Sequence, residues 1–329
     1  MNRKEYFERL RSLSGENDFV NLALKVFRFQ SQHNKIYSEF IRSLNISPEK
    51  IKNIFEIPFL PVEIFKSKVI LTGDENYETI FMSSGTTGEI PGRHFIKDTF
   101  FYEQVFTEIF TSFYGTLSDF TILALLPSYL ERENSSLVYM MDRLIKKSGS
   151  AESGFYLDDL DKLYSVLKQL QKQKKKTLLF GVTFALLDFV STFKLNFPGL
   201  IVMETGGMKG REKEIIREEV HDLLCRGFGV ETIHSEYGMT ELLSQAYSKG
   251  KGIFKSPPWM RILIRDPLDP LNAVAINSSG GINIIDLANI DSCSFLATQD
   301  LGKVHGDNSF EVTGRFDFSD VRGCNLMVE

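Results

Sequence analysis

The sequence predicts an α/β fold: largely parallel sheets flanked by helices, plus a small C-terminal β-rich subdomain. Three observations carry that expectation. Between Glu78 and residue 255, short β-prone runs alternate with longer segments of helical periodicity, the pattern of βαβ units. After Ser256, Pro257, Pro258, Pro267 and Pro270 punctuate short alternating runs. With 329 residues, 43% apolar and 25% charged, the chain can bury one large core or two modest ones without a disulfide or structural metal. The expected division is 1–255 for a helical N-terminal region with the α/β core, and 256–329 for the β-rich part.

Taken in order, residues before Glu78 read as helices and turns. Asn17–Phe29 has apolar residues at Val20, Leu22, Leu24, Val26 and Phe27, near helical spacing, with Asn17 or Asp18 as N-cap. Strands are expected at Thr79–Met82, Phe120–Leu126, Thr177–Phe180, Leu200–Glu204 and Val230–His234. Helices fill the gaps at Asp98–Phe113, Ser135–Lys147, Asp158–Gln171, Thr183–Phe193 and Gly210–Cys225. The basic run Lys172–Lys176 reads as a solvated helix C-terminus, where cations meet the negative end of the dipole. Short strands Arg261–Ile264, Ala273–Ile276 and Gly281–Ile285 complete the pattern.

Composition excludes several classes. Lys and Arg number 38 against 43 Asp and Glu, a formal charge of −5, so no global basic field points to nucleic acid or an acidic membrane. Cys225, Cys293 and Cys324 are unpaired in number and widely spaced, which argues against a disulfide framework or cysteine zinc site and fits a reducing cytoplasm. The histidines His33, His94, His221 and His305 show no metal-ligand spacing. The start MNRKEYFERL lacks the apolar core of a signal peptide, and neither Thr121–Leu126 nor Leu178–Val190 approaches a membrane span, so a cytoplasmic, soluble protein is expected. The 28 phenylalanines read as an aromatic core.

The strongest local feature is Ser83-Ser84-Gly85-Thr86-Thr87-Gly88, between a strand-like run and a helix. Such a turn offers converging N–H and O–H donors, which suits a polyphosphate, although a polar turn capping a helix has the same composition. It is not a Walker A loop, because no Lys follows the second glycine. The full order from Ser83 to Gly92, SSGTTG-x-x-PG, resembles the phosphate-binding loop of the adenylate-forming superfamily. Later motifs follow in the family's order. Tyr237-Gly238-Met239-Thr240-Glu241 resembles YGxTE, and Thr298-Gln299-Asp300-Leu301-Gly302 resembles TGDLG with Gln299 in place of glycine. Gly314-Arg315-Phe316-Asp317 resembles the Gly-Arg…Asp signature that closes the nucleotide-binding domain.

The resemblance implies that the chain is the N-terminal domain of an adenylate-forming enzyme, using ATP and Mg²⁺ to join a carboxylic acid to AMP. Tyr237 would stack on adenine, next to Gly238. Thr240 and Glu241 would serve a phosphate oxygen and Mg²⁺, Asp300 would bind the ribose hydroxyls, and Arg315 ribose or phosphate. Singly, Tyr237 could be a core aromatic, Glu241 a solvated helix residue and Asp300 a turn residue; their joint order outweighs that. Gly206 and Gly207 would let backbone approach the adenine.

Within the superfamily, the tail from Gly314 to Leu326, with Arg322-Gly323-Cys324, resembles the acyl-protein synthetases of bacterial luminescence. Members of that branch are similarly short and lack the lysine-bearing C-terminal domain, as expected here with Glu329 following soon after Asp317. By that resemblance Cys324 takes the acyl group as a thioester and hands it to an acyl-reductase or other acceptor protein. Arg322 beside it favours the thiolate, while Cys225 and Cys293 read as core residues. With the usual lysine absent, Lys209 is a candidate for offsetting phosphate charge, or else an exposed helix-start lysine. His234 is a candidate for the acyl-phosphate region. The Phe-rich composition favours a fatty or aromatic acid. Two alternatives stay open: a ligase passing acyl-AMP directly to coenzyme A or a carrier protein, and a non-catalytic nucleotide-binding subunit.

Overall fold

The computed structural model describes residues 2–83, 90–126, 134–157, 159–206 and 216–316. Three helices open the chain: α1 (Arg3–Arg11), α2 (Glu16–His33) and α3 (Lys35–Ser43). The N-cap position of α2 is Gly15, not Asn17 or Asp18. Asp18 lies inside the first turn, where its carboxylate accepts from the Ser14 N–H and pairs with Arg9, so it secures the helix start from within. After the short β1 (Leu60–Pro61), β2 (Thr79–Met82) and β3 (Arg93–Ile96) form an antiparallel hairpin of their own.

The α/β core follows as α4 (Thr99–Tyr114), β4 (Thr121–Leu125), α5 (Ser136–Ser148), β5 (Gly154–Phe155), α6 (Leu160–Gln173), β6 (Thr177–Val182), α7 (Thr183–Thr192), β7 (Leu200–Thr205), α8 (Arg217–Phe228) and β8 (His234–Tyr237). Strands β5-β4-β6-β7-β8 are parallel neighbours. Every residue of β4 and β6 is buried, as helices on both faces of a parallel sheet require. Asp98, Ser135 and Asp159 cap α4, α5 and α6 by accepting from backbone N–H groups of the first turn. The basic run does end α6; beyond it, Lys176 donates to the Tyr114 carbonyl at the end of α4 and lies over the Phe120 ring. Phenylalanines pack the interior: Phe101, Phe106 and Phe110 of α4 are buried, with Phe110 edge-on to Phe120.

The remaining strands are β9 (Ala246–Ser248), β10 (Ile253–Lys255), β11 (Met260–Arg265), β12 (Ser279–Asp286), β13 (Phe295–Val304) and β14 (Phe310–Arg315). They continue the same sheet in antiparallel order, β8-β9-β10-β14-β13-β12-β11, while β1 pairs in parallel with β13. The sheet is therefore mixed, parallel through the α/β core and antiparallel through the C-terminal strands. Two expected strands differ. The run Val230–His234 is displaced because α8 continues to Phe228 and Gly229 and Val230 close the helix by donating to the Cys225 carbonyl, so β8 starts at His234. Ala273–Ile276 forms no strand: Ala273 makes an isolated bridge with Arg265, and Ile276 is exposed. Two prolines, Pro267 and Pro270, remove donors from the preceding turn. Among the described residues no helix is long and apolar enough to cross a membrane.

Candidate active site

The hairpin β2–β3 carries the Ser/Gly/Thr loop at its tip. Ser84, Gly85, Thr86, Thr87 and Gly88 lie outside the described residues; the base of the loop does not. The Ser83 N–H donates to the Gly92 carbonyl at 2.9 Å, and the Gly92 N–H donates to Ser83 Oγ at 2.7 Å. A Cβ on Gly92 would stand 2.4 Å from Glu241 Oε1 and 3.2 Å from Ser83 Oγ. The slot left by the missing side chain thus holds the Glu241 carboxylate, and the first and second motifs meet there. Glu241 is 7% exposed, which rules out a solvated helix residue.

Buried side chains fix the backbone behind it. His94 on β3 lies 2.7 Å from the Thr240 carbonyl through Nδ1, and Asn289 Nδ2 donates to the Glu241 carbonyl at 2.8 Å. A carbonyl can only accept, so His94 Nδ1 carries the proton; burial pushes this imidazole down to about 4 and keeps it neutral. Asp286 at the end of β12 accepts from the Leu243 and Ser244 N–H groups, the Ser244 hydroxyl and the Ala288 N–H. Burial raises its pKa, and those donors oppose the rise. None of His94, Asn289 and Asp286 was legible as a site residue; a polar residue in an apolar run was the one signal of Asp286 and Asn289, and His94 had none.

The other two motifs form a second cluster. Tyr237 ends β8, and its hydroxyl donates to Asp300 Oδ2 at 2.8 Å, while Arg315 Nε lies 3.2 Å from Asp300 Oδ1. Asp300 and Arg315 are direct cross-strand partners on β13 and β14, so register places them together. The Tyr237 ring packs edge-on against Phe254 and Phe310, and burial followed by the Asp300 charge raises its phenol pKa. Tyr237 is thus a core aromatic whose hydroxyl orients Asp300. Each Asp300 oxygen retains a lone pair for another donor, and Arg315 is 40% exposed. Gln299, the departure from the family motif, bridges Glu63 at 2.7 Å and Arg315 at 3.2 Å.

Gly206 follows β7 with φ +85°; Gly207, Lys209 and Cys324 lie outside the described residues. His234 does not join the cluster. It opens β8, three residues and about 10 Å along the strand from Tyr237. There its Nδ1 meets the Tyr114 hydroxyl at 3.1 Å, and burial with nearby Lys249 pushes its pKa down to about 4. Two buried acids sit between these points. Glu236 accepts from the Thr205 hydroxyl at 2.6 Å, and burial raises its pKa to about 7. For Glu204, burial pushes upward, but His221, Ser235, Arg217 and Thr183 outweigh it and hold the pKa down. Gly238 leaves space for Glu236: a Cβ there would stand 2.4 Å from Glu236 Oε1.

Glu241 sets its carboxylate in the space over Gly92, and Thr240, its neighbour in sequence, carries a hydroxyl. Hard oxygen donors of this kind, few in number, suit Mg²⁺, which keeps several of its waters. Among the described residues no group of three His, Cys, Asp or Glu could hold a metal. The other two thiols are poor nucleophiles: burial raises Cys293 to about 12 and also raises Cys225.

The family model for LuxE acyl-protein synthetases matches residues 14–329. A long-chain-fatty-acid–luciferin-component ligase of Vibrio harveyi is 24% identical over 341 aligned residues, covering 96% of this chain and 88% of that one. Among solved structures, 2-hydroxyisobutyryl-CoA ligase shares the fold with a TM-score of 0.65 at 12% identity, over 92% of this chain and 70% of that one. ATP-bound MatB from Rhodopseudomonas palustris gives 0.53 at 16% identity, over 72% and 47%. The convergent motifs, the adenylate-forming ligase fold and the family match together make this chain a ligase, a member of the LuxE acyl-protein synthetase family.

Proposed function

We propose that the protein activates a long-chain fatty acid with ATP and loads the acyl group onto its own Cys324. The observation that carries this reading is the meeting of distant motif residues: Ser83 and Gly92 with Glu241, and Tyr237 with Asp300 and Arg315. In the first step a carboxylate oxygen attacks the α-phosphorus of ATP and pyrophosphate leaves, giving acyl-AMP. Ser83 and the loop Ser84–Gly88 offer donors to the phosphates, Gly206 and Gly207 a close backbone approach to the base, and Asp300 and Arg315 an acceptor and a donor for the ribose. Thr240 and Glu241 would hold Mg²⁺, which when bound neutralises phosphate charge. Lys209, near Gly207 in sequence, is placed by this reading beside the phosphates.

In the second step the Cys324 thiolate attacks the acyl carbon and AMP leaves; the thiol proton passes to solvent. The thioester then goes to an acceptor protein. The fatty substrate is supported by the activity named for the Vibrio harveyi relative. Intact-mass spectrometry after incubation with ATP and mixed fatty acids tests the reading directly. Wild type should gain one acyl mass, whereas Cys324→Ser should keep acid-dependent ATP–pyrophosphate exchange and gain none. Full turnover of Cys324→Ser with coenzyme A would instead make the chain a direct ligase, and absence of exchange across a broad acid panel would make it a nucleotide-binding subunit.

A further inference from the structure

Gly92 immediately precedes β3 and His94 is its second residue, and both meet the Thr240–Glu241 segment. The hairpin therefore presents two complementary features to one target. Gly92 offers a vacancy, which the Glu241 carboxylate enters, and His94 offers an N–H, which the adjoining Thr240 carbonyl accepts at 2.7 Å. His94 is 1% exposed and edge-on to Phe65, and it belongs to neither the loop nor the Thr240–Glu241 motif. Asn289, which also meets the His94 side chain, ties the Glu241 carbonyl, and Asp286 ties Leu243 and Ser244. Those two residues anchor the Thr–Glu segment to the large sheet. His94 instead anchors it to the hairpin that bears the loop.

We propose that His94 is a positioning residue: its Nδ1–H holds the Thr240 carbonyl and thereby sets the Thr240 hydroxyl and Glu241 carboxylate against the base of the Ser/Gly/Thr loop. This rests on the acyl-adenylate reading above and adds a member to its machinery. A neutral imidazole donating through Nδ1 fits because the target is a backbone carbonyl, and Phe65 and Asn289 restrict the ring on other sides. The role is geometric: nothing here requires His94 to exchange a proton.

The test compares His94→Asn, which keeps an N–H donor at the Nδ1 position, with His94→Gln, which carries it one bond further out. Both are measured by fatty-acid-dependent ATP–pyrophosphate exchange as a function of Mg²⁺. His94→Gln should lose about tenfold or more in kcat and need more Mg²⁺ for half-saturation, with KM for the acid changed less than about twofold. His94→Asn should stay within about threefold of wild type. Equal kcat and Mg²⁺ dependence in the two variants overturns the inference while leaving adenylation intact; wild type without exchange overturns the adenylate reading and this inference with it. Should neither variant fold, ¹⁵N NMR of His94 in wild type decides: the Nδ1–H tautomer supports the role and the Nε2–H tautomer overturns it.

Discussion

Gly92 has no side chain, and the space where one would begin holds the Glu241 carboxylate. A methyl group at that point, 2.4 Å from Glu241 Oε1, must displace either the carboxylate or the strand. Gly92→Ala should therefore cut exchange by about tenfold or more, through a misplacement of an ångström or so. Its thermal midpoint should move little, because the carboxylate can swing aside. Parallel exchange assays and thermal melts check both halves of this expectation. The glycine was visible in the sequence as part of the loop motif, but its partner was not: one-dimensional order says which motifs exist, not which atoms they share. Tyr237 makes the same point in reverse. Its place in the motif gives the expectation of a ring stacked on adenine, and order alone does not show the edge-on contacts with Phe254 and Phe310 or the hydroxyl's bond to Asp300.

Among the elements, the turn from Met239 to Gln245 has little regular structure of its own and is held from outside. Asp286 supplies three of the anchoring contacts from the end of β12, to the Leu243 and Ser244 N–H groups and the Ser244 hydroxyl. Replacing it with alanine strands several buried donors, at a cost of about 3 kcal/mol, readable as a lower urea midpoint with an unchanged slope. Helices and central strands were legible because burial on both faces makes β4 and β6 continuously apolar and because Asp98 and Ser135 announce their helices. Where local signals compete, pattern and structure part. The Val230–His234 run looks like a strand, yet its first residues turn the chain out of α8; Ala273–Ile276 alternates well, yet it makes one bridge. Asp286, Asn289 and His94 could not be recognised as a scaffold, because each is defined by a carbonyl or N–H far away in sequence.

For the whole molecule, the buried acids and histidines make stability depend on pH in opposite directions. Glu236 has a folded pKa near 7 against an ordinary value near 4.5, so between these limits the folded state binds more protons than the unfolded one. Its stabilising contribution is complete below the lower limit and is lost as pH rises through the upper one. The carboxylate form is worth on the order of 3 kcal/mol less to the fold than the protonated form. Glu236→Gln should accordingly gain thermal stability relative to wild type as pH rises from 4.5 to 7, measured by melts across that range. His94 and His234, both pushed from an ordinary value of 6.5 to about 4, act oppositely: their contribution is present above 6.5 and fades as pH falls toward 4.

Arg315 lies at the end of β14, clasped to Asp300, and Cys324 follows it by nine residues. A polypeptide of that length, however it is arranged, spans at most about 30 Å. If Cys324 is the acyl carrier, its distance from Asp300 is bounded by that length. An acyl group on that thiol cannot be delivered to a distant face of the molecule. Whatever protein collects it must then come within this reach of Arg315, so the search for an acceptor surface starts around the end of β14.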